Sequence, residues 1–158
     1  MTTPLRADIH VLLVSDQATP NITPLLDPQL KPTEVALVTS PDKNHQAEWL
    51  EQALQDTGVR TQRIAIADAW NLTSISETLL EWLANHEGKT VALNATGVTK
   101  LMSIAAYEVF RSDDRPIYYV HPEHDRLIWL GAENNPTQDL ADRIKLPSFL
   151  MEIGRAHV

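Results

Sequence analysis

Short apolar runs alternate with amphipathic segments along this sequence. The runs end in polar or turn-forming residues, which is typical of strands buried inside a sheet. The first of them is apolar throughout apart from His10. The segments that predict strands are residues 9–14, 35–38, 59–66, 89–94 and 116–120, and residues 126–130 are expected to pair back on the last as a hairpin. The third run alternates only in part, which indicates a strand near a sheet edge.

Between the runs, apolar residues recur at helical spacing. Residues 44–56 form one predicted helix, and Gly58 is placed to end it. Residues 100–110 are apolar on most of their circumference, which predicts the most buried helix. Shorter helical segments are expected around Pro24, capped by Asn21, and within residues 140–150.

One further helix is predicted by a stripe of three apolar residues. Ser74 and Glu77 have the spacing of a capping box at its start, and Gly88 is placed at its end. The stripe consists of Ile75, Leu79 and Leu83.

Strands that alternate with helices predict an α/β fold: a doubly wound, mostly parallel sheet with helices on both faces and a C-terminal β-hairpin. In such a sheet the ligand crevice lies at the carboxyl ends of the strands, at the topological switch point. In the usual order, strands one and four are neighbours there. The loops that follow these two strands are therefore the candidate binding loops.

Both loops carry polar side chains, and the second loop is suited to bind an anion. Ser15, Asp16 and Gln17 follow the first strand. Residues 94–100, which read Asn94-Ala95-Thr96-Gly97-Val98-Thr99-Lys100, follow the fourth and lead into a helix. Backbone N–H groups at a helix start have no intrahelical partner, so they can cradle an anion, assisted here by hydroxyls and a lysine. The alternative is that Thr99 only caps the helix and Lys100 is solvated.

The second loop resembles a family signature. The pattern Asn94-x-Thr96-Gly97-x-Thr99-Lys100-Leu101-Met102 is similar to that of the CRISPR-associated Rossmann fold (CARF) domain. The resemblance extends over residues 11–17, 22–26, 105–108 and 118–130, and so over nearly the whole chain to about residue 150. The subgroup it resembles most is fused to restriction-endonuclease-like domains in type III CRISPR ancillary effectors.

The resemblance implies a Rossmann-like homodimer that binds a cyclic oligoadenylate across its two-fold axis. Cyclic tetra-adenylate is the favoured ring, because an even ring can match the symmetry of a dimer. The implied contacts to ribose or base are Ser15, Asp16 and Gln17, those to phosphate are Asn94, Thr96, Gly97, Thr99 and Lys100, and Thr39 and Ser40 are weaker candidates beside the same crevice. The family commonly has a second glycine where this chain has Val98, and a β-branched residue resists positive φ. Either Val98 has negative φ, or this loop holds its ligand differently.

The length, the cysteine content and the net charge of the chain restrict its possible domain number, location and partners. The chain has 158 residues, no cysteine and a net charge of -8. These values predict one domain, a cytoplasmic location and no direct DNA-binding surface. No apolar run is long enough for a membrane span, and no signal peptide is recognised. Residues 1–150 are assigned to the CARF-like sensing domain, and residues 151–158 to a tail or to the start of a linker to an effector domain.

Two functions remain open. The first is a sensor domain that switches an effector. The alternative is a ring nuclease, in which the ribose 2′-hydroxyl attacks the neighbouring phosphorus without a metal; its catalytic residues are not assigned. A transcription regulator is disfavoured by the acidic charge. No cofactor is expected, and no metal either, because His121, His124 and Asp125 lie in a tight turn where neutral histidines are far commoner than ligands.

Overall fold

The computed structural model of the protein describes residues 7–16, 24–25, 30–96, 100–121, 126–130 and 138–139. Seven strands and three helices lie within these residues. The strands are β1 (Ile9–Leu13), β2 (Glu34–Thr39), β3 (Arg60–Ala65), β4 (Val91–Asn94), β5 (Ile117–His121), β6 (Arg126–Leu130) and β7 (Gln138–Asp139). The helices are α1 (Asn44–Gln55), α2 (Leu72–Ala84) and α3 (Lys100–Ser112), and a 3-10 turn (Pro41–Lys43) leads into α1.

The strands form one mostly parallel sheet in the order β3-β2-β1-β4-β5-β6-β7. All pairs from β3 to β5 are parallel, whereas β6 pairs antiparallel with β5 and β7 with β6. The α/β prediction, its C-terminal hairpin and the edge position of β3 are therefore confirmed. So is the central expectation, that the first and fourth strands are neighbours, with Leu12 opposite Asn94 in the register.

Helices cover both faces of the sheet. On one face α2 and α3 pack on alternate residues of β1 (Ile9, Val11 and Leu13). On the other face Leu12 packs with α1, and a separate cluster around Tyr118 and Trp129 continues the core under β4, β5 and β6. Because side chains alternate between the faces of a strand, His10 lies on the same face as Leu12. The buried histidine is thus enclosed at the centre of the molecule.

The helix ends confirm one sequence expectation and correct two. Gly58 follows α1 with φ +81°, the left-handed conformation that ends a helix and that glycine adopts without strain. The capping box is wrong: Asn71 caps α2 by accepting a hydrogen bond from the Ser74 backbone N–H, so Ser74 lies inside the helix. Gly88 does not end α2 either, because the helix ends at Ala84 and Asn85 closes it in a right-handed conformation.

The stripe of α2 and the burial of α3 follow the predicted pattern with one exception. All three stripe residues of α2 are buried. Helix α3 buries a larger set than either of the other helices, namely Met102, Ala105, Ala106, Val109 and Phe110. Ile104, however, is 50% exposed, because α3 lies on the sheet with one face and turns Ile104 to the surface.

Several expectations lie outside the described residues. Asn21 and residues 140–150 are among them, although Pro24 and Leu25 are helical. His124 and Asp125 are also outside, and in the described part of the chain no three metal-ligating side chains cluster. No helix in the described ranges has the length and apolarity to span a membrane.

Candidate functional site

The candidate site residues that the structure describes lie along the carboxyl edge of the parallel strands. Ser15 and Asp16 follow β1, and Thr39 ends β2 just before Ser40. Asn94 ends β4, Thr96 follows it, and α3 begins at Lys100. The predicted residues Gln17, Gly97, Val98 and Thr99 lie outside the described residues, and of Lys100 only the backbone position is described. The fold thus brings the two predicted loops to the same edge, side by side.

At the end of β4, the side chains of Asn94 and Thr96 are buried and bonded to each other. The Asn94 Oδ1 accepts hydrogen bonds from the Thr96 backbone N–H at 3.0 Å and from its hydroxyl at 2.6 Å. The Thr96 Oγ1 in turn accepts from the Val120 backbone N–H at 2.9 Å. The threonine hydroxyl therefore continues the β4–β5 ladder past the end of β4, and the backbone that enters the loop is fixed on β5.

A tyrosine and a histidine extend this arrangement into the core. The Tyr118 hydroxyl lies 2.8 Å from the His10 Nδ1, and the Asn94 side chain also hydrogen-bonds the Tyr118 phenol. Because the Asn94 Oδ1 is an acceptor, its amide nitrogen is the donor to Tyr118. We name the four side chains of His10, Tyr118, Asn94 and Thr96 the buried chain. Its hydrogen bonds connect the Val120 N–H to Asn94 through Thr96, and Asn94 to His10 through Tyr118.

Burial controls the protonation of the buried chain. His10 is fully enclosed, which lowers its pKa from 6.5 to about 4 because the charged form loses its hydration. Burial likewise raises the pKa of the Tyr118 phenol, with the Asn94 hydrogen bond opposing it in part. Both groups are therefore neutral near pH 7. The second ring nitrogen of His10, Nε2, has no hydrogen-bond partner within the described residues.

The two candidates at the end of β2 are bonded locally. The Thr39 hydroxyl donates to the Leu37 carbonyl at 2.9 Å, and the Ser40 hydroxyl donates to the Asp42 Oδ1 at 2.6 Å. Both residues are buried. This arrangement shapes the turn between β2 and the 3-10 segment, and a contact of either residue with a ligand remains a prediction.

Asp16 is held by two residues for which the sequence had no motif. The Asp16 Oδ1 accepts hydrogen bonds from the Lys43 Nζ and the Gln46 Nε2, both at 3.0 Å. The side chain of Asp16 is 67% exposed, whereas that of Lys43 is 22% exposed. The hydrogen bond to Asp16 raises the pKa of Lys43, with a smaller Coulombic contribution from Asp42. We name Asp16, Lys43 and Gln46 the exposed clamp.

Comparison with known proteins identifies the family. The model of the Card1 CARF domain matches residues 9–149. The chain belongs to the Card1 CARF domain family. The resemblance inferred from the loop signature is therefore confirmed. A search of the curated proteins found no match.

Three solved structures share this fold. Protein VC1899 from Vibrio cholerae is 28% identical with a TM-score of 0.82 over 90% of this chain. Can2 from Sulfobacillus thermosulfidooxidans, solved in complex with cyclic tetra-adenylate, is 27% identical with a TM-score of 0.79 over 90% of this chain. A type III CRISPR defence DNA nuclease activated by cyclic oligoadenylate is 26% identical with a TM-score of 0.69 over 88% of this chain.

The match covers only part of each relative. This CARF domain spans 38% of the Vibrio cholerae protein, 40% of Can2 and 22% of the DNA nuclease. The similarity therefore concerns the CARF domain and leaves out more than half of each relative.

Proposed function

We propose that this chain is the sensing domain of a type III CRISPR defence protein and that it binds cyclic tetra-adenylate across the axis of a homodimer. The observation that carries the proposal is the position of the CARF signature loop. It follows β4 at the switch point, beside the end of β1, and leads directly into α3. An anion placed there meets the unpaired N–H groups of a helix start. The cyclic tetra-adenylate complex of Can2, a similar structure, supports the choice of ligand.

The predicted site residues are assigned roles within this proposal. Gly97, Val98, Thr99 and Lys100 form the part of the loop that meets phosphate. Asn94 and Thr96 hold the start of that loop on β5 through the buried chain, so a ligand would meet their backbone rather than their side chains. Ser15, Asp16 and Gln17 face ribose or base, and Thr39 and Ser40 support the turn behind them.

Dimerisation is supported by the exposed apolar surface of α3. Ile104 is half exposed, and it lies about one helical turn after the signature loop. An isologous contact through this face would bring two copies of the loop together and double every contact with a ring. Ile104→Glu is therefore expected to give a monomer by light scattering, whereas Leu80→Glu, at an exposed leucine of α2, should leave the dimer unchanged.

Calorimetry with intact ligands tests the function. Cyclic tetra-adenylate should bind at one ring per dimer, and linear tetra-adenylate more weakly, because the ring has fewer conformations to lose. Lys100→Ala should weaken ring binding by roughly two to four decades, since each charge-assisted hydrogen bond contributes roughly 1.5–3 kcal/mol and the symmetry removes two. Equal affinity for ring and linear form would contradict the proposal.

Analysis of the recovered ligand separates the two functions left open by the sequence. An intact ring after prolonged incubation identifies a sensor. A linear product ending in a 2′,3′-cyclic phosphate identifies a ring nuclease, because that product results from attack by the ribose 2′-hydroxyl.

A further inference from the structure

The exposed clamp presents one carboxylate oxygen at the candidate site. The Asp16 Oδ1 already accepts two hydrogen bonds, while its Oδ2 has no partner within the described residues. Two donors on the same oxygen hold the carboxylate in place. Because the Asp16 side chain is 67% exposed, its second oxygen is accessible to a hydrogen-bond donor from outside the protein.

The lysine makes this carboxylate compatible with an anionic ligand. A bare aspartate at the end of β1 would repel the phosphates of a nucleotide ring. The Lys43 Nζ, 3.0 Å from the Asp16 Oδ1 and 3.5 Å from the Asp42 Oδ2, lowers the net charge of these two carboxylates from -2 to -1. Asp16 can then act as a hydrogen-bond acceptor at a lower electrostatic cost.

The hydrogen bond to Asp16 determines how the Gln46 amide is oriented. The Gln46 Oε1 is buried and has no hydrogen-bond partner in the described part of the chain. A buried polar atom without a partner destabilises the fold. Turning the amide over would place that oxygen against the Asp16 carboxylate, which is worse. The side chain therefore keeps its amide nitrogen on Asp16 and leaves its oxygen unpaired.

We infer that Lys43 and Gln46 are positioning residues for Asp16, whose Oδ2 accepts a hydrogen bond from a neutral donor of the bound nucleotide. The donor is the adenine 6-amino group or a ribose 2′-hydroxyl, since these are the neutral donors that an adenylate ring offers. This inference rests on the proposed function and adds a determinant of ligand specificity to it. The clamp makes the domain prefer rings that carry the donor.

Ligand analogues test the inference directly. Wild-type protein is titrated with cyclic tetra-adenylate, with the ring in which inosine replaces adenosine, and with the ring of 2′-deoxyadenosine. We expect wild type to bind one analogue at least tenfold more weakly, as expected for the loss of a hydrogen bond to a charged acceptor. Loss with the inosine ring identifies the amino group, and loss with the deoxy ring identifies the hydroxyl.

The variants then assign the discrimination to the clamp. Asp16→Ala should abolish the preference, and Lys43→Met and Gln46→Met should each reduce it several-fold. Lys89→Met, on the opposite edge of the sheet, and Gln52→Met, on the exposed face of α1, are the matched controls and should keep the wild-type ratio. A melting curve for each variant verifies that it is folded.

The experiment distinguishes failure of the proposed function from failure of the inference about the clamp. If wild type binds no cyclic oligoadenylate, the proposed function is wrong and this inference falls with it. If wild type binds but Asp16→Ala keeps the full preference, only the inference is wrong. If Lys43→Met weakens all three rings by the same factor, Lys43 contacts phosphate directly, and its positioning role is overturned.

Discussion

The buried chain runs from the core to the edge of the sheet on which the exposed clamp lies, yet the two groups differ in what their hydrogen bonds do. Both join residues far apart in the sequence: His10 to Tyr118 in the chain, and Asp16 to Lys43 in the clamp. The chain is closed to water, so each lost partner leaves a buried polar group unpaired. The ion pair of the clamp is partly exposed, so Asp16 and Lys43 can hydrate instead. Burial therefore assigns the chain to folding and the clamp to recognition.

Asn94→Ala is expected to have the largest effect on stability. It removes the acceptor of two Thr96 groups and the donor to Tyr118, and several buried atoms lose their partners. We expect a loss of at least about 3 kcal/mol in the free energy of unfolding, from about 1–3 kcal/mol for each of the three groups that lose a partner. Denaturant titration measures it.

Asn71→Ala is the matched control for that variant. It also removes an asparagine Oδ1 that accepts a backbone N–H, but at the exposed start of α2. Loss of such a cap costs about 1 kcal/mol. Similar losses for Asn71→Ala and Asn94→Ala would contradict the distinction between the buried and the exposed region.

Acid should destabilise the fold through the buried chain. The unfolded histidine has a pKa of 6.5 and folded His10 one of about 4, so the unfolded state binds the additional proton between these values. The contribution of neutral His10 to the free energy of unfolding is fully present above pH 6.5. It decreases as the pH falls and is lost below pH 4. The difference between the unfolded and the folded pKa of His10 corresponds to about 3 kcal/mol in the free energy of unfolding.

His10→Leu isolates this contribution. The variant is less stable at neutral pH because the Tyr118 hydroxyl loses its hydrogen bond to His10, but its stability should fall less between pH 6.5 and pH 4. The difference between the two pH profiles, measured by thermal unfolding, removes the carboxylates that titrate in both proteins. Parallel profiles would show that His10 is not buried in the neutral form.

Lys43→Met should have the smallest effect on folding. Its ion pair with Asp16 is partly exposed, and such pairs contribute roughly 0–1 kcal/mol. The midpoint of thermal unfolding should therefore move by no more than about 4 °C. A much larger drop would assign the clamp to folding, as in the buried chain.

The sheet could be predicted from the sequence because its strands are short apolar runs between polar breaks. Their order also followed, since crossover rules leave few arrangements of alternating strands and helices. The ends of α2 could not be predicted with the same success. Several residues near a helix start can act as caps, and tertiary packing decides that Asn71 rather than Ser74 is used.

The position of the candidate site in the fold could be predicted from the sequence, but its side-chain contacts could not. The signature loop could be recognised by its resemblance to the CARF pattern, and its neighbour by its place after the first strand of the predicted sheet. Lys43 and Gln46 could not, because their contacts with Asp16 depend on how β1 and β2 place their following turns. His10 was a visible anomaly in an apolar strand, but its partner Tyr118 is 108 residues away in the sequence.

The Val120 N–H donates a hydrogen bond to the Thr96 hydroxyl, so hydrogen exchange at this backbone amide depends on the position of the start of the signature loop. Elsewhere in a parallel sheet, strand amides exchange with solvent only when strands separate. The Val120 amide is instead covered by a side chain at the base of the signature loop. We therefore expect the hydrogen-exchange rate of the Val120 amide to rise when Thr96 moves away from β5, even if the strands of the sheet stay paired.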